Sequence, residues 1–279
     1  MTEAAAALAG FLQASPNLLV LTGAGVSTDS GIPDYRDADG QWKRRPPITG
    51  QIFRGDPLQR ARYWARNLIG WPHLAAARPN AAHRALARLQ DAGRIRRLVT
   101  QNVDGLHQAA GSRDVVDLHG RLDQLVCLGC GDRTPRGPFQ QRLLDANPDW
   151  AHHSAAALPD GDADLDNLDF SRFVVPPCAR CGGLLKPDVV FFGENVPRER
   201  VDATFAALAA SDGLLVAGSS LMVYSGYRFA LAARELGLPI AVLTRGRSRA
   251  DDLQPLKIDA PCAETLTEAL QSFDAPAAA

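Results

Sequence analysis

Lysine is almost missing from this 279-residue sequence: Lys43, Lys186 and Lys257 are the only three, and the rest of the positive charge is arginine. With 30 basic and 31 acidic residues the formal net charge is −1. No general basic field therefore exists to hold nucleic acid or an anionic membrane. No stretch approaches the roughly 20 apolar residues that a membrane span requires. The opening MTEAAAALAGFLQASPN carries an acid and no basic leader region, and reads as the first helix of a mature cytoplasmic protein. Cysteine is scarce as well. Five in all, an odd number, in a chain with no export signal argue against a disulfide framework. Partners must be recognised by the chemistry of a site, not by bulk charge.

What the chain does have is apolar content. At 46% it can bury a full core, and its length suits a large domain carrying a smaller one. Four of the five cysteines form two C-x-x-C pairs, Cys127/Cys130 and Cys178/Cys181, each followed by glycine. That spacing predicts a structural tetrahedral zinc site, with glycine letting the backbone fold back toward the thiolates. The stretch between the pairs exceeds the usual zinc-ribbon gap, so it should hold a small subdomain of loops and short helices.

Apolar, β-branched runs recur at 17–23, 95–102, 115–120, 187–194, 213–220 and 239–246. Most are continuous and do not alternate, as expected for parallel strands covered on both faces. Helical patterns lie between them at 56–70, 80–93, 197–213 and 226–237. The expected fold is α/β, a doubly wound, Rossmann-like parallel sheet with an inserted zinc-binding subdomain. The division expected is 1–120 and 187–279 for the large domain and 121–186 for the insert. The terminal DAPAAA should fray.

Thr22–Arg36 reads TGAGVSTDSGIPDYR. Gly23 and Gly25 let backbone N–H groups approach a phosphate at the start of whatever helix follows. The spacing differs from the hydride-transfer fingerprint G-x-G-x-x-G, because Thr28 stands at the third glycine position. This predicts a dinucleotide bound for other chemistry. Three further strand ends carry polar groups that a core would not need: Gln101-Asn102-Val103-Asp104, Asp117-Leu118-His119-Gly120 and Gly218-Ser219-Ser220. Amides and a carboxylate can fix a ribose and a carboxamide, and His119 can act as a base near neutrality. His107 is expected to be a structural hydrogen-bonder, and His73, His83, His152 and His153 to be solvated or satisfied. Tyr63 and Arg66 lie at i, i+3 on one helix face, where an arginine fork would suit a carboxylate.

In order along the chain, GAGVSTDSGIPDYR, TQNVDGLH, LHG, the paired C-x-x-C, KPDVVFFGE and GSSLMVYS resemble the sirtuins, the NAD-dependent protein deacylases. The likeness runs from about residue 17 to 265. GIPDYRD, RYWARN, GWP and PDGD are most similar to the class II branch and to a bacterial member of it. The resemblance implies NAD and Zn as cofactors, acyl-lysine proteins as substrates, and neither nucleic acid nor membrane as partner. It implies that Gly23, Ala24, Gly25, Ser27 and the loop Pro33, Asp34, Tyr35 and Arg36 wrap the diphosphate and cover the nicotinamide ribose. Gln101, Asn102 and Asp104 would hold ribose and carboxamide, with Asn102 and His119 in the catalytic centre and His119 as general base. The implied reaction loses nicotinamide as the acyl oxygen attacks the ribose, and yields free lysine and O-acyl-ADP-ribose. Gly218, Ser219 and Ser220 would contact the adenosine side, as would Thr244, Arg245 and Gly246, where many sirtuins have asparagine. Cys262 would lie near the adenine. Val189, Val190, Phe191 and Gly193 would line the acyl-lysine tunnel and pair with the substrate backbone. A Tyr-x-x-Arg pair also occurs in sirtuins that remove succinyl groups, so Tyr63 and Arg66 imply acyl groups other than acetyl, acidic ones among them. Transfer of ADP-ribose to protein is the alternative reaction. A zinc-ribbon binding module would not need His119 together with Gln101, Asn102 and Asp104. Oligomeric state stays open.

Overall fold

The central strand β1 (Leu18–Thr22) is buried along its whole length, which is why its sequence is apolar without alternation. Leu18 and Val20 face one core, Leu19 and Leu21 the other. The computed structural model describes residues 1–43, 47–156, 158–165 and 168–274. The other strands are β2 (Ile95–Thr100), β3 (Val116–Asp117), β4 (Gly120–Cys127), β5 (Arg133–Pro135), β6 (Leu185–Val189), β7 (Gly213–Ala217), β8 (Ile240–Leu243) and β9 (Leu256–Ile258). The α-helices are α1 (Glu3–Ala14), α2 (Gly50–Gly55), α3 (Pro57–Ala76), α4 (Ala81–Asp91), α5 (Leu106–Ala109), α6 (Arg136–Ala146), α7 (Arg198–Ala209), α8 (Tyr224–Glu235) and α9 (Cys262–Asp274).

Six strands form one sheet in the order β3-β2-β1-β7-β8-β9, and every neighbouring pair is parallel. Leu8 and Leu12 of α1, Leu86 and Leu89 of α4 and Leu266 of α9 cover one face. Leu208 of α7 and Phe229 of α8 cover the other. This is the doubly wound arrangement expected. The order reverses between β1 and β7, so the loops leaving their C-terminal ends diverge and open a crevice there.

Three expectations need correction. The run 187–194 does not join the main sheet; its first residues belong to β6, which lies in a small antiparallel sheet ordered β5-β4-β6. The sixth place in the main sheet goes to β9, a three-residue strand too short to stand out. Apolar content reports burial, and it does not say against which sheet.

The packing also departs from the 121–186 boundary. Phe53 of α2 and Trp64 and Leu68 of α3 share a core with Leu125, Phe139 and Leu185, so helices from the first part of the chain are built into the small unit. Finally, α3 does not stop at Gly70 but runs through Pro72 to Ala76. Proline supplies no N–H for the Leu68 carbonyl, and the Gln140 side chain donates to that oxygen instead, at 2.8 Å. Asp56 caps the helix by accepting from the N–H groups of Leu58 and Gln59. The tail expected to fray includes 275–279, which lie outside the described residues.

Candidate functional site

A cavity of about 410 Å³ opens at the crevice between β1 and β7. Gly23 donates its N–H to Ala217 O at 3.1 Å and Gly25 donates to Gly218 O at 2.8 Å, which brings the two strand-end turns together backbone to backbone. A Cβ on Gly23 would sit 2.7 Å from Ser219 Cβ, and one on Gly218 would overlap the Val26 nitrogen. Gly218 also has φ +64°, in the left-handed region. The turn after β1 continues into two single-turn 3₁₀ helices, Ala24–Val26 and Thr28–Ser30, and not into a long helix. An anion at this end would meet individual N–H groups more than a helix dipole.

Side chains from four segments lock into one network over this turn. Asn102 Nδ2 donates to Gly23 O and to Ser27 Oγ, both at 3.0 Å. Ser27 in turn donates to Asp104 Oδ2 at 2.7 Å. Gln101 Nε2 donates to Ser219 Oγ at 2.8 Å, which ties β2's end to β7's. Below them Asn80 caps α4 and donates to Val26 O at 2.7 Å. One network thus aligns the amides with the Asp104 carboxylate.

His119 follows β3 and lines the cavity. Its Nδ1 lies 2.9 Å from Gln101 O. A carbonyl can only accept, so Nδ1 carries the proton and Nε2 keeps its lone pair, toward which Ser225 Oγ donates at 2.8 Å. Burial pushes the ring pKa down to about 4, against the raising effect of the Gln101 bond and with help from Arg200 and Arg228. The ring is thus a neutral base at neutral pH. His107, by contrast, is buried with Nε2 2.9 Å from Thr22 Oγ1, and burial lowers it to about 3. His83 belongs to the cap of α4.

One wall of the cavity is the loop after the glycine turn. Pro33, Asp34, Tyr35 and Arg36 all line it. Arg36 lies 4.0 Å over the Trp42 ring and donates to Gly40 O, while Asp34 pairs with Lys43. Val190, Phe191 and Gly193 form another wall. Val190 donates its N–H to His119 O at 2.8 Å, so this wall is fixed directly to the histidine. Glu194, which also lines the cavity, holds this wall in place, since its Oε2 takes the Phe191 N–H at 3.0 Å and faces Lys186 Nζ at 3.1 Å. Burial lowers the Lys186 ammonium below its usual range and the Glu194 charge opposes that.

Several expected site residues stand off the cavity surface. Ser219, Ser220, Thr244 and Arg245 line it, whereas Gly246 and Cys262 do not. Cys262 is buried with Sγ 3.6 Å from Leu243 O, and burial raises its thiol to about 12. Val189 sits behind Val190, paired with Gly120. Tyr63 is half-buried, edge-on to Phe53 and Phe191 at 5.4 and 5.3 Å, and desolvation pushes its hydroxyl far up, with Asp162 adding. Arg66 forks onto Asp162, Nε to Oδ1 at 2.8 Å and Nη2 to Oδ2 at 2.9 Å. Neither Tyr63 nor Arg66 lines the cavity; Leu74 and Pro159 do. Sequence reasoning missed Trp42, Glu194, Ser225 and Pro159. For Ser225 and Glu194 a signal existed, since they end the motifs GSSLMVYS and KPDVVFFGE.

The four cysteine Sγ atoms lie within 4.8 Å of one another, Cys127 to Cys181 at 3.4 Å and Cys130 to Cys178 at 3.9 Å. Thiolates around a tetrahedral zinc sit about 3.8 Å apart, so the set fits that ion with all four positions filled by sulfur. Gly129 and Gly183 turn their N–H groups to Cys127 and Cys181 at 3.4 Å, and a Cβ on Gly183 would lie 3.0 Å from Cys127 Sγ. Glycine is needed for that approach.

The Sir2 family pattern matches residues 23–225. A "NAD-dependent protein deacetylase" of Bordetella bronchiseptica is 64% identical over 94% of this chain and 96% of its own. The "NAD-dependent protein lipoamidase sirtuin-4, mitochondrial" of Bos taurus is 49% identical over 92% of this chain and 82% of its own. Among solved structures, a Sir2 enzyme superposes with a TM-score of 0.77 at 29% identity, covering 98% of this chain and 99% of the other. A Sir2–p53 peptide–NAD+ complex superposes at 0.72 and 27% identity, covering 96% and 97%.

Proposed function

The chain belongs to the Sir2 family and is an NAD-dependent protein deacylase, and from that premise we propose a role for each group around the cavity. The chemistry supplied by bound NAD is a ribose carbon that accepts the acyl oxygen once nicotinamide leaves. The Ala24 backbone N–H takes the diphosphate, and Gly23, Gly25 and Gly218, whose own N–H groups are bonded between the strand ends, let it approach without side chains in the way. Gln101, Asn102 and Asp104, already bonded to Ser27 and Ser219, orient ribose and carboxamide without reorganising. The Pro33–Arg36 loop excludes water. His119 removes a ribose hydroxyl proton at Nε2, where the substrate hydroxyl replaces that of Ser225. Ser219, Ser220, Thr244 and Arg245 meet the adenosine side, with Gly246 and Cys262 supporting them from behind. Val190, Phe191 and Gly193 form the acyl-lysine tunnel, with Val189 behind it, and Tyr63 backs Phe191.

The observation that carries this reading is the fixed tautomer of His119: a neutral, half-buried ring with its basic nitrogen in the cavity. The zinc is structural. Acyl-lysine proteins are the proposed substrates, and neither nucleic acid nor membrane is a proposed partner; no described helix is long and apolar enough to cross a membrane. We place the protein in the cytoplasm, where its cysteines would stay reduced and free for metal. The names of the bacterial deacetylases and of the bovine lipoamidase support an acyl range that extends beyond acetyl.

The test is NAD-dependent nicotinamide release by wild type and His119→Tyr against acetyl-, lipoyl-, valeryl-, succinyl- and glutaryl-lysine peptides, with peptide followed by mass. Deacylated peptide in proportion to nicotinamide, lost in the variant, supports the assignments. Nicotinamide release with ADP-ribose on protein and no deacylated peptide would move the chain to ADP-ribosyl transfer.

A further inference from the structure

An arginine in an acyl pocket selects acidic acyl groups only if its fork is available, and here the fork of Arg66 is already filled. Its Nε and Nη2 donate to the two oxygens of Asp162, at 2.8 and 2.9 Å, the geometry that a substrate carboxylate would use. The arginine side chain is only 14% exposed, so this is not a loose surface pair.

Asp162 is held in place by its backbone. Asn67 Nδ2 donates to Gly161 O at 3.1 Å, one helix position beyond Arg66. A Cβ at Gly70 would overlap the carbonyls of Gly161 and Asp162, so α3 and this turn are in direct contact. Leu158, Ala163 and Leu165 are buried on either side, and Asp162 Oδ1 also accepts the Ala163 N–H at 2.9 Å. Pro159, in the same turn, lines the cavity together with Leu74. One side of the turn thus faces the acyl chain while the other delivers a carboxylate to Arg66.

We propose that Asp162 is a specificity-determining residue: it stands in for an acidic acyl group's carboxylate on Arg66, and so commits the pocket to neutral acyl chains. An acidic chain would have to displace a clamped carboxylate or rest beside it as a like charge, and either disfavours it. This rests on the deacylase reading of the cavity.

The experiment compares kcat/KM for valeryl- and glutaryl-lysine in one peptide, two five-carbon chains that differ in a terminal carboxylate. Wild type should prefer valeryl by about tenfold or more, and Asp162→Asn should raise the glutaryl-to-valeryl ratio by about tenfold. Asp162→Glu, which keeps the carboxylate, should hold the wild-type ratio. Adding Arg66→Gln to Asp162→Asn should remove the gain. A wild type that cleaves glutaryl as readily as valeryl overturns the proposal without any variant, and so does a ratio that Asp162→Asn leaves unmoved. A wild type that cleaves neither chain nor acetyl-lysine instead sinks the deacylase reading, and the proposal with it.

Discussion

His119 Nδ1 lies 2.9 Å from the carbonyl oxygen of Gln101, and that one bond decides which nitrogen of the ring is basic. Gln101 is itself at the end of β2 and bonded to Ser219 at the end of β7. His119 is therefore oriented by the same strand ends that form the glycine turn.

One consequence concerns pH. Because burial takes His119 to about 4, the acid limb of kcat/KM should fall below pH 5 and not near the usual histidine value of about 6.5. His119→Asn should lower kcat by about 10²–10⁴ across the range. A pH profile from 4.5 to 8 with saturating NAD reads both. An acid limb centred near 6.5 would contradict the half-buried, neutral ring.

Stability should follow pH for a related reason. Burial lowers His83 to about 4, with Asp104 opposing and Arg84 assisting, and lowers His107 to about 3, with His83 assisting. Both folded values lie below the unfolded one near 6.5, so between these limits the unfolded chain binds more protons. Stability is then full above about pH 6.5 and declines as pH falls, by on the order of 1 kcal/mol per pH unit for each ring. Denaturant titrations at pH 8, 6.5 and 5 would measure this. His107→Gln, which keeps a partner for Thr22, should flatten the slope; an unchanged slope would remove His107 from the account.

The glycine at the end of β7 can be tested alone. Gly218→Ala places a Cβ against the Val26 nitrogen at φ +64°, a strain of about 1–3 kcal/mol before any relaxation. Relaxation would separate the two turns. KM for NAD should rise by about tenfold or more, with a smaller change in kcat, and steady-state kinetics at varied NAD would show it. A wild-type KM would mean that the turns tolerate separation.

Zinc removal should unfold the small unit and leave the main sheet. Cys127 and Cys178 are buried in the same core as Trp64, Leu125 and Phe139, so losing the ion exposes that core as well as four thiols. Cys178→Ala should lose bound metal and the near-ultraviolet circular dichroism of the tryptophan cluster. A folded variant that keeps stoichiometric zinc would rule out the four-sulfur site.

Much of the site was readable because its signals are local. Gly23, Gly25, Gln101, Asn102, His119 and Ser219 lie at strand ends, where a polar or glycine residue after a buried apolar run has few purely structural uses. The strands β1, β7 and β8 were legible for the same reason, since burial on both faces writes itself into four or five consecutive residues, and β2 shows it in its last three. Weak local signals were lost or misplaced. β9 spans three residues, and the run 187–194 looked like a main-sheet strand because nothing in its composition names its neighbour.

By itself, then, the amino-acid sequence determined the buried strands, the glycine turn, the two thiolate pairs and the histidine at a strand end, all set by interactions across a few residues. Only the tertiary structure decided that Arg66 meets Asp162, 96 positions away, and that Ser225 meets His119, 106 positions away. It alone placed α2 and α3 in the zinc-bearing unit and Glu194 against Lys186. Whether a charged side chain is available or already engaged depends on what the fold carries up to it, and a single chain's residue order contains no distance between positions so far apart.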